Sequence, residues 1–99
     1  MKWRVAIRPR AEADLREARN WYENKRTGLG DEFLGEIGIT IELLARDPMR
    51  RPDYYRGFRR VLTRRFPYKM FYRLEGNQVI VFRVLHAHQD HPRLLPGES

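Results

Sequence analysis

Histidine and carboxylate side chains follow the last long apolar run of the sequence at a spacing that suits a metal ion. Residues 79–85 read VIVFRVL, which predicts a buried strand, and the chain continues as HAHQDH. Alternating side chains of an extended segment point to one side, so the first two histidines can reach one ion. Imidazole and carboxylate suit zinc. The candidate ligands are His86, His88, Asp90 and His91.

The rest of the chain argues against a metal site. The spacing resembles the HxHxDH motif of metallo-β-lactamase-like hydrolases, which have a much longer, four-layer αββα fold and further His and Asp ligands downstream. Here eight residues follow His91, and none of them is His or Asp. We therefore interpret the match as coincidence and expect no metal and no other cofactor.

The positive charge of the chain is concentrated in its second half. The net charge is +7; residues 1–48 hold nine Lys/Arg and nine Asp/Glu, whereas residues 49–99 hold eleven Lys/Arg and four Asp/Glu. A basic half of this kind indicates an anionic partner, either nucleic acid or an acidic protein. The alternative is a solvated basic surface that only aids solubility.

Composition excludes several classes of protein. The length of 99 residues and the 41% hydrophobic content fit one domain with a modest core. Because the chain has no cysteine, neither disulfides nor thiolate chemistry is available. No run approaches the roughly 18 apolar residues of a membrane span, and no signal-peptide pattern opens the chain. We expect a cytoplasmic protein without a membrane partner.

Hydrophobic periodicity predicts one strand and two helices in the first half. Residues 2–8 alternate as a half-buried strand. Pro9 suits the first turn of a helix that runs to about Lys25. Asp31 is the predicted cap of a second helix, which ends at residues 47–48. The predicted apolar faces are Ala11, Leu15, Ala18, Trp21 and Tyr22 in the first helix and Phe33, Leu34, Ile37, Ile39, Ile41 and Leu44 in the second.

Three strands are predicted in the second half, over residues 58–65, 68–75 and 78–87. Gly76-Asn77 is a two-residue hairpin signal between the last two. The last strand is nearly all apolar, as expected at the centre of a sheet. The tail from Pro92 is expected to be loosely held. The fold class is therefore α+β, with the order βααβββ, an antiparallel-rich twisted sheet, a helical hairpin on one face and the other face partly open.

This order, together with short phrases at set places within it, resembles the RelE/ParE superfamily of type II toxins. The resemblance runs from residue 3 to about 95, and the string FPYxxFYR at 66–73 is closest to the ParE, or plasmid-stabilisation, branch. It implies a single toxin domain over 1–95 and a loose tail at 96–99. The phrases are Ala13-Asp14-Leu15, Trp21-Tyr22-Glu23, Gly28-Leu29-Gly30, Phe33-Leu34, Arg59-Arg60-Val61-Leu62, Arg65-Phe66-Pro67-Tyr68, Phe71-Tyr72-Arg73 and Val84-Leu85-His86.

The resemblance implies a toxin that a small acidic antitoxin neutralises in a toxin–antitoxin hetero-oligomer. ParE-like members poison DNA gyrase without a known nucleolytic site, whereas RelE-like members cut messenger RNA on the ribosome. The leading hypothesis is a gyrase-binding toxin, which is not an enzyme. The alternative is a ribosome-dependent mRNA interferase, a metal-independent endoribonuclease. A third hypothesis is a decayed module whose basic face only binds nucleic acid.

Ribonucleolysis sets requirements that the residues meet only in part. Attack by a ribose 2′-hydroxyl needs a base, an acid and cations around the strained phosphate. The resemblance places Arg60 and Lys69 at two of the basic positions of RelE-type enzymes. It places His88 where an Arg is usual and Leu94 where a Tyr is wanted, and no aromatic residue follows Phe82. If the chain is a nuclease, its candidate catalytic residues are Arg60, Lys69, Arg83, His86 and His88.

A binding surface for the target or the antitoxin is predicted on the basic strands. Its candidate residues are Arg59, Arg60, Arg64, Arg65, Lys69 and Arg73. The same arginines have a simpler interpretation as the exposed side of an edge strand, where charge discourages aggregation. A period of two places Tyr68, Met70 and Tyr72 on one face and Lys69, Phe71 and Arg73 on the other. The aromatic residues among them are interpreted as packing residues, and His86 as a structural histidine.

Overall fold

The computed structural model describes residues 2–88 and 91–95. Its sheet has the strand order β1-β4-β3-β2, with β1 parallel to β4 and the other two pairs antiparallel. The predicted α+β class and βααβββ order are confirmed, with a short third helix added. The elements are β1 Arg4–Ile7, α1 Pro9–Lys25, α2 Leu29–Arg46, a 3-10 turn Pro48–Arg50, β2 Arg59–Leu62, β3 Tyr68–Glu75, β4 Gln78–His86 and α3 His91–Leu94.

The two long helices cover one face of the sheet and form the main core with it. Tyr72, Phe33 and Leu44 are its largest fully buried side chains. Tyr22 and Phe33 pack against each other and against Phe66, so aromatic rings join the helices to the β2–β3 turn. None of the helices in the described residues is long and apolar enough to cross a membrane.

Both predicted helix faces were too wide. Trp21 is 55% exposed and Ile39 is 56% exposed, and Leu34 is also at the surface. Phe33, Ile37 and Leu44 define the buried stripe of α2, and Ile39 lies on the opposite side of the helix. Three apolar side chains of the predicted faces therefore stand on the surface of the hairpin.

The junction between α1 and α2 is capped by a residue that the sequence did not indicate. The helix α2 begins at Leu29 after Gly28, whose φ of +90° is left-handed. The predicted cap, Asp31, is wrong, since it lies inside the first turn. Glu23 of α1 takes its place, because its carboxylate accepts the N–H groups of Gly28 and Gly30 at 3.0 Å each.

Strand β4 lies inside the sheet, as predicted, but β1 covers only its first half. The β1 register runs from Gln78 to Val81, so the second half of β4 forms part of a sheet edge. A bulge opposite Phe71 and Tyr72 gives β4 one extra residue, Phe82, which points to the face away from the helices.

That second face is partly covered by a small apolar cluster of its own. Phe58, Phe71, Leu85 and Leu95 are buried there, with Tyr54, Tyr55, Phe82 and Leu94 around them. The expectation of a loose tail from Pro92 is wrong as far as residue 95, because Leu95 is only 6% exposed. Residues 96–99, the predicted loose tail, lie outside the described residues.

Candidate functional site

Three of the predicted basic residues lie together on the face away from the helices, called the open face below. In β3, Met70 and Tyr72 point into the main core, so Lys69 and Arg73 point to the open face. Arg60 of β2 joins them, with its guanidinium 3.9 Å from the ring centre of Tyr54. The predicted alternation of β3 is therefore confirmed.

The other three residues of that prediction make contacts that hold the β2–β3 segment, two through the guanidinium and one through the backbone. The Arg59 guanidinium donates to the carbonyls of Met49 and Arg51 and so holds the connector before β2. Arg65 pairs with Glu32 of α2, with Nη2 and Oε1 2.6 Å apart. The backbone N–H of Arg64 donates to the carboxylate of Glu36 at 2.7 Å. These contacts fasten the β2–β3 segment to its surroundings.

Arg83 is held in an ion pair rather than presented to solvent. Its Nε lies 2.7 Å from Oδ2 of Asp14, and the two side chains are 9% and 11% exposed. Its Nη1 donates to the carbonyl of Leu94 at 2.8 Å. Asp14 also accepts the backbone N–H of Val84 at 2.9 Å, so it caps the free half of β4.

His86 lies on the helix side of the sheet end. His86 pairs with Tyr68 across the β3–β4 ladder, and their rings contact edge to face at 5.4 Å. The N–H of His88 donates to Nδ1 of His86 at 3.2 Å. Asp90 lies outside the described residues. Among the residues that the structure describes, no group of three His, Asp or Glu side chains is placed to hold a metal ion.

A groove of about 640 Å³ runs between α1 and the free half of β4. Its apolar wall includes Trp21, Tyr22 and Tyr68, and Arg83 and His86 lie along its strand side. Burial, and then the neighbouring Tyr22, to which the Tyr68 hydroxyl donates a hydrogen bond, raise the pKa of Tyr68 to about 12. Both phenols are therefore neutral hydrogen-bonding groups at physiological pH.

Sequence reasoning missed Asp14 and Trp21 as site residues. A signal for Asp14 was present, since it lies three residues after Ala11 and four before Ala18, on the apolar face of α1. A carboxylate in that position needs a buried partner. No comparable signal marked Trp21, because a tryptophan at the border of an apolar face is ordinarily packed.

A family model describing the "ParE toxin of type II toxin-antitoxin system, parDE" matches residues 5–91. The chain belongs to the ParE toxin family. It is thus a type II toxin–antitoxin toxin of the ParE/RelE superfamily, as its motif order predicted. A search of the curated proteins finds no matching sequence.

Solved structures share the ParE fold at low sequence identity. One, from the chromosomal ParDE system of P. aeruginosa, is 18% identical with a TM-score of 0.79, over 88% of this chain and 98% of that one. Another, from the RelBE2 toxin–antitoxin complex of Mycobacterium tuberculosis, is 22% identical with a TM-score of 0.60, over 87% of this chain and 99% of that one. Both likenesses establish the fold.

Proposed function

We propose that this ParE-family toxin inhibits growth by binding DNA gyrase and that a small acidic antitoxin holds it inactive. The observation that carries the proposal is the separation of the candidate nuclease groups. Lys69 points to the open face, His86 lies on the helix side, and the guanidinium of Arg83 is bound to Asp14. A ribonuclease needs its acid, base and cations around one phosphate. Binding is the function that this arrangement supports.

The groove beside α1 is the surface that we assign to the antitoxin. Trp21 offers a large, half-exposed ring at its wall, and buried tryptophans are typical anchors of protein interfaces. Lys25 lies 4.6 Å from the ring centre of Trp21, which places a cation beside the apolar wall. An amphipathic acidic segment fits this combination.

The free half of β4 offers a second mode of contact at the same groove. The outward N–H of Val84 is taken by Asp14. Among the described residues, no strand pairs with that side of β4 beyond Val81. An antitoxin can therefore add a strand there while its apolar side chains enter the groove.

Gyrase supercoiling measured with purified toxin tests the target. We expect micromolar toxin to inhibit supercoiling. In the matched control, mixing the toxin with the antitoxin first should prevent the inhibition completely. Supercoiling unchanged at that concentration would contradict the proposal. In-vitro translation followed by primer extension is run in parallel, since discrete cuts in the message would indicate an mRNA interferase instead.

A further inference from the structure

We propose that the open face of the sheet binds the phosphate backbone of double-stranded DNA without reading its sequence. This inference goes beyond gyrase binding, since it concerns a nucleic acid contact of the toxin itself and is tested without gyrase.

Cations extend across the whole width of the open face. Arg60 stands on β2, and Lys69 and Arg73 stand on β3. On the opposite edge, Arg4 lies on the open side of β1, because Val5 packs in the main core. Among the strand positions of this face, the described residues include one carboxylate, Glu75, at the end of β3. The face is therefore strongly positive.

The size of this cationic face matches a DNA backbone. Three strand spacings separate β1 from β2, which is about 14 Å, and four residues along β3 span about 13 Å. A duplex presents about eight phosphates over a length of 14 Å. Several cations can therefore contact phosphates at once, without any deformation of the sheet.

Cation–π contacts hold guanidinium groups of this face in place. Arg73 lies 4.0 Å from the ring centre of Phe58 and also donates to the carbonyl of Arg56 at 2.8 Å. Arg8, just after β1, lies 5.3 Å from the ring centre of Phe82. A guanidinium held over a ring keeps N–H donors in its own plane, and these match a phosphate bidentately. Less side-chain freedom is then lost on binding.

The rings beneath these arginines favour a duplex over a single strand. Proteins that hold unpaired nucleotides stack the bases on accessible aromatic rings. Phe58 is fully buried, and Tyr54 and Phe82 each have a guanidinium over the ring. Within the described part of the chain, the face thus offers cations but no bare ring platform, which favours backbone contacts. It also offers few apolar anchors for an acidic peptide, apart from Leu62.

Fluorescence anisotropy with a labelled duplex of random sequence, titrated with free toxin at several salt concentrations, tests the inference. Five phosphate contacts predict a slope of log affinity against log salt of about −4.5. The double variant Arg60→Gln/Lys69→Gln removes two contacts, so the slope should fall by about 1.8 in magnitude and the affinity by more than about tenfold at low salt.

Arg16→Gln/Arg46→Gln is the matched control, since it removes the same charge from exposed positions on α1 and α2. An equal loss of affinity in both double variants would overturn the inference, because only net charge would then matter. Unchanged DNA binding in Arg60→Gln/Lys69→Gln, with weakened antitoxin binding, would assign the face to an acidic protein and overturn it as well.

Two further measurements keep the result interpretable. The pair Arg4→Gln/Arg8→Gln, on the opposite edge, should reproduce the reduced slope if the first pair fails to fold by circular dichroism. Gyrase inhibition is scored separately. A toxin that binds duplex DNA but leaves supercoiling unchanged would contradict the proposed function and leave this inference standing.

Discussion

Asp14 of α1 and Arg83 of β4 form an ion pair with two hydrogen bonds, 2.7 Å from Nε to Oδ2 and 3.0 Å from Nη2 to Oδ1. The pair is almost fully buried, and the remaining bonds of the two side chains go to Val84 and to the carbonyl of Leu94. One interaction therefore connects α1, β4 and α3.

Removing one partner of this pair should destabilise the fold strongly. We expect Asp14→Ala to lower the free energy of unfolding by about 3–5 kcal/mol, because it leaves a buried guanidinium without its counter-charge. Urea denaturation measures the effect. The double variant Asp14→Ala/Arg83→Met should lose less than the sum of the single changes. Strict additivity would show that the two side chains are not coupled.

Glycines of α2 should respond to alanine in opposite directions. A Cβ on Gly30 would lie 2.8 Å from the carbonyl oxygen of Arg19, where α1 and α2 approach closely, so Gly30→Ala should destabilise by about 1–3 kcal/mol. A Cβ on Gly35 or Gly38 would meet nothing within 4 Å. Alanine at these helical positions should stabilise by about 0.5–1 kcal/mol each.

Thermal unfolding of the three glycine variants gives the comparison directly. The Gly35 and Gly38 variants serve as controls for the change in helix propensity. A rise in melting temperature for Gly30→Ala would mean that the two helices separate more easily than their close approach indicates.

The Glu23 cap should make stability depend on acid pH. Hydrogen bonds from the N–H groups of Gly28 and Gly30 lower the pKa of Glu23 below its ordinary value of 4.5. Because this pKa is lowered, the charged Glu23 carboxylate stabilises the fold at pH values above 4.5, and this contribution is lost as the pH falls through the folded-state pKa. Glu23→Gln should therefore show a smaller fall in melting temperature on acidification than the wild type. Glu12→Gln, in the first turn of α1, is the control, and an equally reduced pH response there would contradict this role of Glu23.

Tyr68 should titrate last among the groove phenols. Its pKa is raised to about 12, first by burial and then by Tyr22. Because the folded-state pKa is raised, the contribution of the neutral Tyr68 phenol to stability is complete below pH 10 and is lost as the pH rises towards about 12. In an ultraviolet absorbance titration, Tyr68→Phe should remove the highest transition. Tyr22→Phe should lower the pKa of Tyr68 while leaving it above 10, since burial remains. A highest transition that persists in Tyr68→Phe would refute the assignment.

Trp21 should matter for antitoxin binding far more than for folding. We expect Trp21→Ala to weaken the complex at least about 30-fold, the loss typical of an interface anchor, with little change in the urea midpoint. Ile39→Ala is the matched control, because Ile39 is equally exposed but lies on α2 away from the groove. Affinities measured by calorimetry that fall equally in both variants would argue against the groove.

Local pattern predicted the fold well where each element depends on its own residues. The bounds of β3, Tyr68–Glu75, and the end of α1 at Lys25 match the prediction. The errors lie where a distant residue decides the outcome. Asp31 is a residue type that commonly caps helices. The carboxylate of Glu23, in the preceding helix, accepts the N–H groups at the start of α2 instead. Leu95 follows a proline-containing segment, yet the apolar cluster on the open face buries it.

The predicted basic surface shows the same limit. Sequence identifies arginines but not which of them have partners inside the fold. Arg65 meets Glu32 only because the β2–β3 turn packs on α2, and Arg59 contacts carbonyls of the connector. Arg60 and Lys69 instead point to the open face. The period of two in β3 predicts this for Lys69, and the register of β2 with β3 fixes it for Arg60.

The parallel pairing of β1 with β4 has a consequence for synthesis. Residues 4–7 are synthesised 74 residues before their strand partners, residues 78–81. The helical hairpin can form early from local contacts, whereas the sheet must wait for a long-range closure. A ParE toxin built in this way has no completed sheet while most of its chain is being made. The helical wall of the groove is therefore synthesised before the open face can form.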